Sequence, residues 1–190
     1  GSKRVPKKNV RLLDGIPMIS YIIRATKAAG CFDEIYVNSE SDLIGEIATN
    51  EGVKFFKRDS SLSTDSATND DFALDFMEKV ECDTLVQVLA TSPFLTPEEI
   101  KDFTKEYLQS DCKTLVSVNN QKIECIYGEG AINFNKLEQT PPSQLLTPVQ
   151  SYACGLMAWD TGVFKNNMKK YGCAYHGGDQ KTSYYTLSGL

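Results

Sequence analysis

Four cations, a glycine and a proline crowd the first nine residues, Gly1-Ser2-Lys3-Arg4-Val5-Pro6-Lys7-Lys8-Asn9. Such a run is suited to holding a polyphosphate. Glycine lets backbone N–H groups come close to an anion, Pro6 fixes the loop, and lysine ammonium groups offset the charge on a departing pyrophosphate. The same composition also describes a solvated basic tail, and the distribution of charge bears on the choice. The 190-residue chain has a formal net charge of −5, yet Lys3, Arg4, Lys7, Lys8 and Arg11 give its first eleven residues +5, leaving −10 for the rest. Cations so concentrated fit a local anion site better than a nucleic-acid groove, and the acidic total argues against nucleic-acid or membrane-surface binding.

Other chemistries find less support. Cys31, Cys82, Cys112, Cys125, Cys154 and Cys173 form no C-x-x-C pair and have no neighbouring histidine to complete a zinc set. Six scattered cysteines in a chain of this size read as reduced thiols, which points to the cytoplasm. The single histidine, His176, lacks a nucleophile motif beside it and reads as structural or as part of a site rim. No apolar run approaches the ~20 residues that cross a bilayer, and no signal-peptide pattern is present.

The elements that must position an anion site alternate in period. With 41% hydrophobic and 24% charged residues, the chain suits one globular domain over residues 1–190. Helical spacing over Ile16–Ala29 ends at Gly30, and Glu34–Ser39 reads as a strand. Ser41 is placed to cap a helix through Asn50, and Val53–Phe56 is the next strand. A helix is predicted from Asn69 to Val80. Thr84–Leu89 has the nearly continuous apolar character of a central parallel strand. Thr96-Pro97-Glu98-Glu99 combines an N-cap, a first-turn proline and a capping-box glutamate, opening a helix to Ser110. Strands follow at Thr114–Val118 and Ser151–Trp159, and Asp160 caps a helix to Tyr171. Residues 121–149 break the rhythm and read as a protruding lid or dimerisation arm. This alternation predicts an α/β fold with an open, mostly parallel sheet and ligands beyond the carboxyl ends of its strands.

The ordered motifs resemble the acylneuraminate cytidylyltransferases, the CMP-sialic acid synthetase family. The basic opening run followed by Leu13-Asp14-Gly15-Ile16-Pro17-Met18-Ile19 resembles that family's A-R-x-x-S-K-x-x-P-x-K-N loop and G-x-P-L-I turn. Cys31–Ser39 is similar to its F-D-x-V-x-V-S-T strand. Phe56-Lys57-Arg58, with Leu62–Thr68, resembles R-P-x-x-L-A-x-D-x-A-S, and Thr91-Ser92-Pro93-Phe94-Leu95-Thr96 resembles P-T-S-P-L-R-T. The resemblance spans nearly the whole chain and implies a Rossmann-like nucleotide-diphospho-sugar transferase fold. It also implies a reaction in which the anomeric hydroxyl of an acidic sugar attacks the α-phosphate of CTP, with Mg²⁺ as cofactor and a homodimer joined through the arm.

Carried over residue by residue, the resemblance makes Lys8 the catalytic cation. It gives Ser2, Lys3, Asn9, Arg58 and Asn69 to the nucleotide, and Thr91 and Ser92, with Gln87, to the sugar substrate. Arg58 can also be a surface cation and Asn69 a helix N-cap. Departures accompany the matches. Leu89-Ala90 stands where the family has Gln-Pro, and Gln87, two residues earlier, shares that strand face without being the aligned residue. Gln150–Gly155 lacks the family's ligand-holding arginine, leaving Lys122 or Lys136 as candidate partners for a sugar carboxylate. The family's first strand and its D-I-D metal motif have no counterpart in these residues, and Asp160 and Asp179 do not match that motif. If the 190 residues were the whole protein, weak or no turnover is expected. Two rivals remain open: a nucleotidyltransferase for a different sugar, and an inactive nucleotide-binding form.

Overall fold

The computed structural model describes residues 7–64 and 66–188. It begins with a 3₁₀ turn over Lys8–Val10 and a small hairpin of β1 (Leu12–Leu13) and β2 (Ile16–Pro17). Asp14 and Gly15 both have left-handed backbones there, with φ of 48° and 75°. Two consecutive positive φ values are what a tight two-residue hairpin turn requires, and an Asp-Gly pair supplies them at little cost. The hairpin delays the first helix, α1, to Met18–Ala29. Its buried stripe of Ile19, Ile22, Ile23, Thr26 and Ala29 follows the helical repeat, and Gly30 closes it at φ 62°.

Next come β3 (Tyr36–Ser39), α2 (Asp42–Asn50), β4 (Lys54–Lys57), α3 (Asn69–Lys79) and β5 (Thr84–Val88). They are followed by α4 (Pro97–Gln109), β6 (Thr114–Gln121), a β7 (Ile126–Tyr127) and β8 (Gly130–Ala131) hairpin, β9 (Val149–Asp160), α5 (Thr161–Tyr171) and β10 (Thr182–Thr186). The α4 start matches its sequence signature in full: the Thr96 hydroxyl accepts from the Glu99 N–H and the Glu99 carboxylate accepts from the Thr96 N–H. Asp160 caps α5 by accepting from the Val163 N–H at 2.9 Å. Ser41 does not cap α2 with its side chain; its own N–H donates to the Ser39 hydroxyl at 3.2 Å.

Four strands form the main sheet in the order β10-β6-β9-β5. The α/β class and open sheet hold, but the sheet is mixed. β10 and β6 are parallel, whereas β9 runs antiparallel to both β6 and β5. The cause is the arm: a loop and hairpin between β6 and β9 reverse the chain without a crossover helix. β9 buries Leu156, Met157, Ala158 and Trp159 consecutively, since both sheet faces are covered. Leu156 and Ala158 face a core with α1 and α4, built around Ile22, Ile100 and Phe103. Met157 and Trp159 face a second core with Ala73, Met77 and Phe164 from α3 and α5.

β3 and β4 pair in parallel as a separate two-stranded sheet. β5, expected at the centre of a sheet, stands at an edge, and each of its residues is only half-buried. Among the described residues no strand joins β5 to β3.

Candidate active site

The space between β3 and β5 is a cleft of about 1470 Å³. At the carboxyl ends of the strands its lining includes Lys7, Lys8, Asn9, Arg58, Asn69 and Thr91. A smaller hollow of about 550 Å³ lies on the arm between Ile132–Asn135 and Thr147–Val149, and its lining carries no ionisable side chain.

The basic turn is fixed to the first helix. Lys7 has a left-handed backbone (φ 52°), its carbonyl accepts from the Val10 N–H at 3.1 Å, and the Arg11 carbonyl accepts from the Met18 N–H at 2.8 Å. Lys8 and Asn9 are half-exposed on this turn and face the cleft. Ser2 and Lys3 lie outside the described residues.

Arg58 is not a surface cation. It follows β4, donates its backbone N–H to the Ser39 carbonyl at 3.1 Å, and has a side chain only 15% exposed. Its guanidinium lies over the Phe72 ring, 4.1 Å from the centroid, and pairs with Glu40. Arg58 Nε is buried with no hydrogen-bond partner, and so is Oδ1 of Asn38 at the end of β3. Burial pushes the Glu40 carboxyl up, but backbone hydrogen bonding and the Arg58 guanidinium outweigh it and hold the group below its ordinary value.

Across the cleft, Asn69 and Gln87 form a reciprocal amide pair. Asn69 Nδ2 donates to Gln87 Oε1 and Gln87 Nε2 donates to Asn69 Oδ1, both at 2.9 Å. Asn69 is free for this because Thr68, not Asn69, is the N-cap of α3, in a capping box with Asp71. Thr91 is exposed at the cleft rim. Ser92 is placed apart: its backbone shapes the turn after β5, donating to the Leu89 carbonyl at 3.0 Å and accepting from Leu95 at 3.3 Å.

Sequence reasoning missed Asn38, Glu40, Phe72 and Asp70. Asn38 and Glu40 stand at the carboxyl end of the strand read over Glu34–Ser39, where the strand-end rule puts ligands, but no motif gave either side chain a role. Asp70 accepts the backbone N–H groups of Ala174 and Tyr175 at 2.6 and 2.7 Å, fastening the loop before β10 to the start of α3. No local motif announces a bond across that sequence separation. On the same loop, His176 Nδ1 lies 3.1 Å from the Tyr152 hydroxyl, which gives the lone histidine a packing and hydrogen-bonding role. Lys122 and Lys136 bond to the carbonyls of Gln144 and Glu129, so both staple the arm and neither lines the cleft.

No described group of three or more His, Cys, Asp or Glu side chains is arranged to hold a metal ion. Asp160 is engaged as the α5 cap and with Lys113, and Asp179 with Lys170 and Tyr171. Hydrogen bonds from Lys170 first, then Tyr171 and Gln180, hold Asp179 well below the usual carboxylate range. The described residues therefore do not fit Mg²⁺, and no step below passes through a metal. All six cysteines are free thiols, and no described helix is long and apolar enough to cross a membrane.

A family profile described as cytidylyltransferase matches residues 1–141. The N-acylneuraminate cytidylyltransferase of Streptococcus agalactiae serotype V is 30% identical over 172 residues, covering 89% of this chain and 38% of that protein. The pseudaminic acid cytidylyltransferase of Campylobacter jejuni is 33% identical over 121 residues, covering 60% of this chain and 52% of its own length. The chain thus spans well under two thirds of these relatives. Among solved structures, a CMP:2-keto-3-deoxy-manno-octonic acid synthetase complexed with CTP superposes with a TM-score of 0.68 at 14% identity, over all of this chain and 88% of the other. That likeness establishes the fold.

Proposed function

The chain belongs to the cytidylyltransferase family, and from that premise we propose that it transfers CMP from CTP to an acidic nonulosonic sugar, releasing pyrophosphate. In this reading the sugar's anomeric hydroxyl forms a new bond to the α-phosphorus, the bond to the pyrophosphate oxygen breaks, and the hydroxyl proton passes to solvent. Lys8 is the cation that offsets charge on the phosphates, and Ser2, Lys3 and Asn9 shape the loop around them. Arg58, held flat by Phe72, presents its unpartnered Nε, and Asn69 addresses the base. Thr91 at the cleft rim, with Gln87, stands on the sugar side, and Ser92 acts only through the turn that carries Thr91.

The observation that carries this reading is the convergence of Lys8, Asn9, Arg58 and Asn69, distant in sequence, on one cleft at strand carboxyl ends. The reading also includes a single domain, a homodimer through the 121–149 arm, a cytoplasmic setting and the family's Mg²⁺, for which the described residues supply no ligand set. Exposed Ile126, Tyr127, Leu137 and Leu145 on the arm support the dimer. Calorimetric titration with CTP, UTP and GTP tests the nucleotide assignment. Binding of CTP at least tenfold tighter than the others supports it, and no preference for CTP removes it. Pyrophosphate release with nine-carbon acid sugars then tests the transfer.

A second reading, a nucleotidyltransferase for a different sugar, is favoured by one observation. Gln87 is engaged with Asn69 instead of standing free in the cleft, and Leu89-Ala90 supplies no amide in its place. Turnover with neutral sugars or sugar phosphates but not with nine-carbon acids supports it.

A further inference from the structure

Asp70 joins the start of α3 to the loop between α5 and β10. One carboxylate oxygen, Oδ1, accepts the N–H groups of Ala174 at 2.6 Å and Tyr175 at 2.7 Å. Three further elements hold the same loop by its carbonyls. Trp159 Nε1 of β9 donates to Tyr175 at 3.2 Å, Thr182 Oγ1 of β10 to His176 at 3.0 Å, and Asn167 Nδ2 of α5 to Gly177 at 3.0 Å. Gly177 has φ 92°, and a Cβ there would stand 2.1 Å from Thr182 Oγ1, so the loop lies hard against β10. Backbone groups that all end on side chains from other elements fix the loop's shape. Of those four side chains, only that of Asp70 comes from an element that also lines the cleft.

What the loop holds in place is aromatic. The Tyr175 ring lies 6.0 Å from Trp159 and 6.4 Å from Tyr152, and Tyr152 lies 5.5 Å from the His176 ring and 6.3 Å from Tyr184. His176 and Tyr184 are exposed. Strand register places the cluster: Gln87 pairs with Met157, Met157 with Val116 and Val116 with Tyr184, so one row crosses a single face of the sheet. Tyr152 and Tyr175 pack against the core cluster that includes Met157 and Val116. The row starts at Gln87, whose amide partner Asn69 directly precedes Asp70. Residues 173–178 contain no lysine or arginine, in contrast to Lys7, Lys8 and Arg58 in the cleft. Such a surface suits the C–H faces and hydroxyls of a sugar better than phosphates.

On the transfer reading above, we propose that Asp70 is a positioning residue for its acceptor side. By fixing the Ala174 and Tyr175 amides, Asp70 sets the rings of Tyr175 and His176 next to the Asn69–Gln87 pair, and the acceptor sugar lies against them. The nucleotide draws on Lys8, Asn9, Arg58 and Asn69, none of which belongs to this loop. Loss of the clamp therefore weakens the sugar and spares CTP.

The test compares the parent with Asp70→Ala, which leaves no acceptor, and Asp70→Asn, which keeps an oxygen for both amides. Hydrogen exchange at Ala174 and Tyr175 and emission from Trp159, the single tryptophan, report the clamp. Calorimetry gives the affinity for CTP and, with CMP present as a nucleotide that cannot be transferred, for nine-carbon acid sugars and neutral sugar phosphates. Asp70→Ala is expected to speed exchange at both amides by roughly tenfold or more and to shift Trp159 emission. It should weaken sugar binding by about tenfold while CTP affinity stays within about threefold. Asp70→Asn should remain within about threefold of the parent throughout. Equal sugar binding by the parent and Asp70→Ala overturns the proposal, as does an Asn variant no better than the Ala variant. Parallel loss of CTP and sugar in Asp70→Ala also overturns it, since that is the mark of a merely structural role. If Asp70→Ala does not fold, Tyr175→Leu decides: sugar binding weakened by roughly fivefold with CTP unchanged supports the wall, and unchanged sugar binding overturns it. A parent that binds no CTP, or CTP but none of the sugars, removes the transfer reading and this role with it; failure confined to the variants removes the role of Asp70 alone.

Discussion

On the α3–β5 wall of the cleft, Asn69 and Gln87 satisfy one another with two 2.9 Å hydrogen bonds. On the β3–β4 wall, Arg58 Nε and Asn38 Oδ1 are buried and satisfy nothing. The first wall is organised by its own contacts and must give some of them up to hold a ligand with full amide capacity. The second leaves a donor and an acceptor without partners, a state that costs about 1–3 kcal/mol for each buried group unless a ligand or water relieves it. A pocket whose walls differ in this way draws binding energy mainly from the unsatisfied side. Arg58 is rigid as well, pinned over Phe72 and against Glu40, so little side-chain entropy is lost when an anion docks.

The largest effect is therefore expected at Arg58. Arg58→Ala should weaken CTP binding by roughly 10–100-fold, the scale of a lost charge-assisted hydrogen bond. Arg58→Lys should recover only a minor part of this, because a point charge on a flexible stem cannot lie flat on Phe72. Calorimetry on folded variants is the measurement. If Arg58→Ala binds CTP as tightly as the parent, the β3–β4 wall is not the binding wall and the contrast is broken.

The self-satisfied wall predicts the opposite pattern. Asn69→Ala and Gln87→Ala should each lower stability by about 1 kcal/mol, because each leaves one amide without its partner. The double variant should cost less than the sum, with a coupling of about 0.5–1.5 kcal/mol. CTP affinity should fall less than for Arg58→Ala, by roughly fivefold or below. Denaturant unfolding and nucleotide titration of the four proteins give both numbers. Additive stability losses would show that the amide pair is not an energetic unit.

These contrasts mark where sequence reading succeeds and where it stops. Capping at Thr96 and Asp160, and the closure of α1 at Gly30, are legible because the signals lie within one turn of the backbone they satisfy. Thr68 escaped notice as the α3 cap since Asn69 beside it is an equally good capping residue; Asp71, three residues after Thr68, was the signal that separates them. The direction of β9 was not legible, for side-chain alternation is the same whichever way a strand runs. β10, Thr182–Thr186, pairs with β6 across a long separation and has only five residues of weak alternation. At the site, Lys8 and Arg58 could be nominated from motif order, but the Phe72 face and the Glu40 partner that define Arg58 depend on tertiary placement alone. Gln87 was reachable from strand parity. Its engagement by Asn69 was not.

The smallest expected effect concerns Glu40, and it tests whether Arg58 is held or merely neutralised. Burial opposes ionisation of Glu40, yet backbone hydrogen bonding and Arg58 bring its folded-state value below the ordinary 4.5. A carboxyl depressed in the folded state contributes stability that is fully present above its unfolded value and is lost as pH falls through the folded one. The parent protein should therefore exceed Glu40→Gln in Tm at neutral pH, by an amount corresponding to about 1 kcal/mol or less for a partly exposed pair. That margin should persist to about pH 4.5 and shrink only in more acidic solution. Glu40→Gln keeps a hydrogen-bond acceptor for the guanidinium while removing the competing charge. If Glu40 chiefly positions Arg58, CTP affinity should change by no more than about threefold, since geometry survives and the loss of a neighbouring anion partly compensates. A tenfold or greater gain in CTP affinity would instead identify Glu40 as a competitor for the phosphate-binding cation, so that the unsatisfied wall owes its restraint to a charge that a nucleotide must displace.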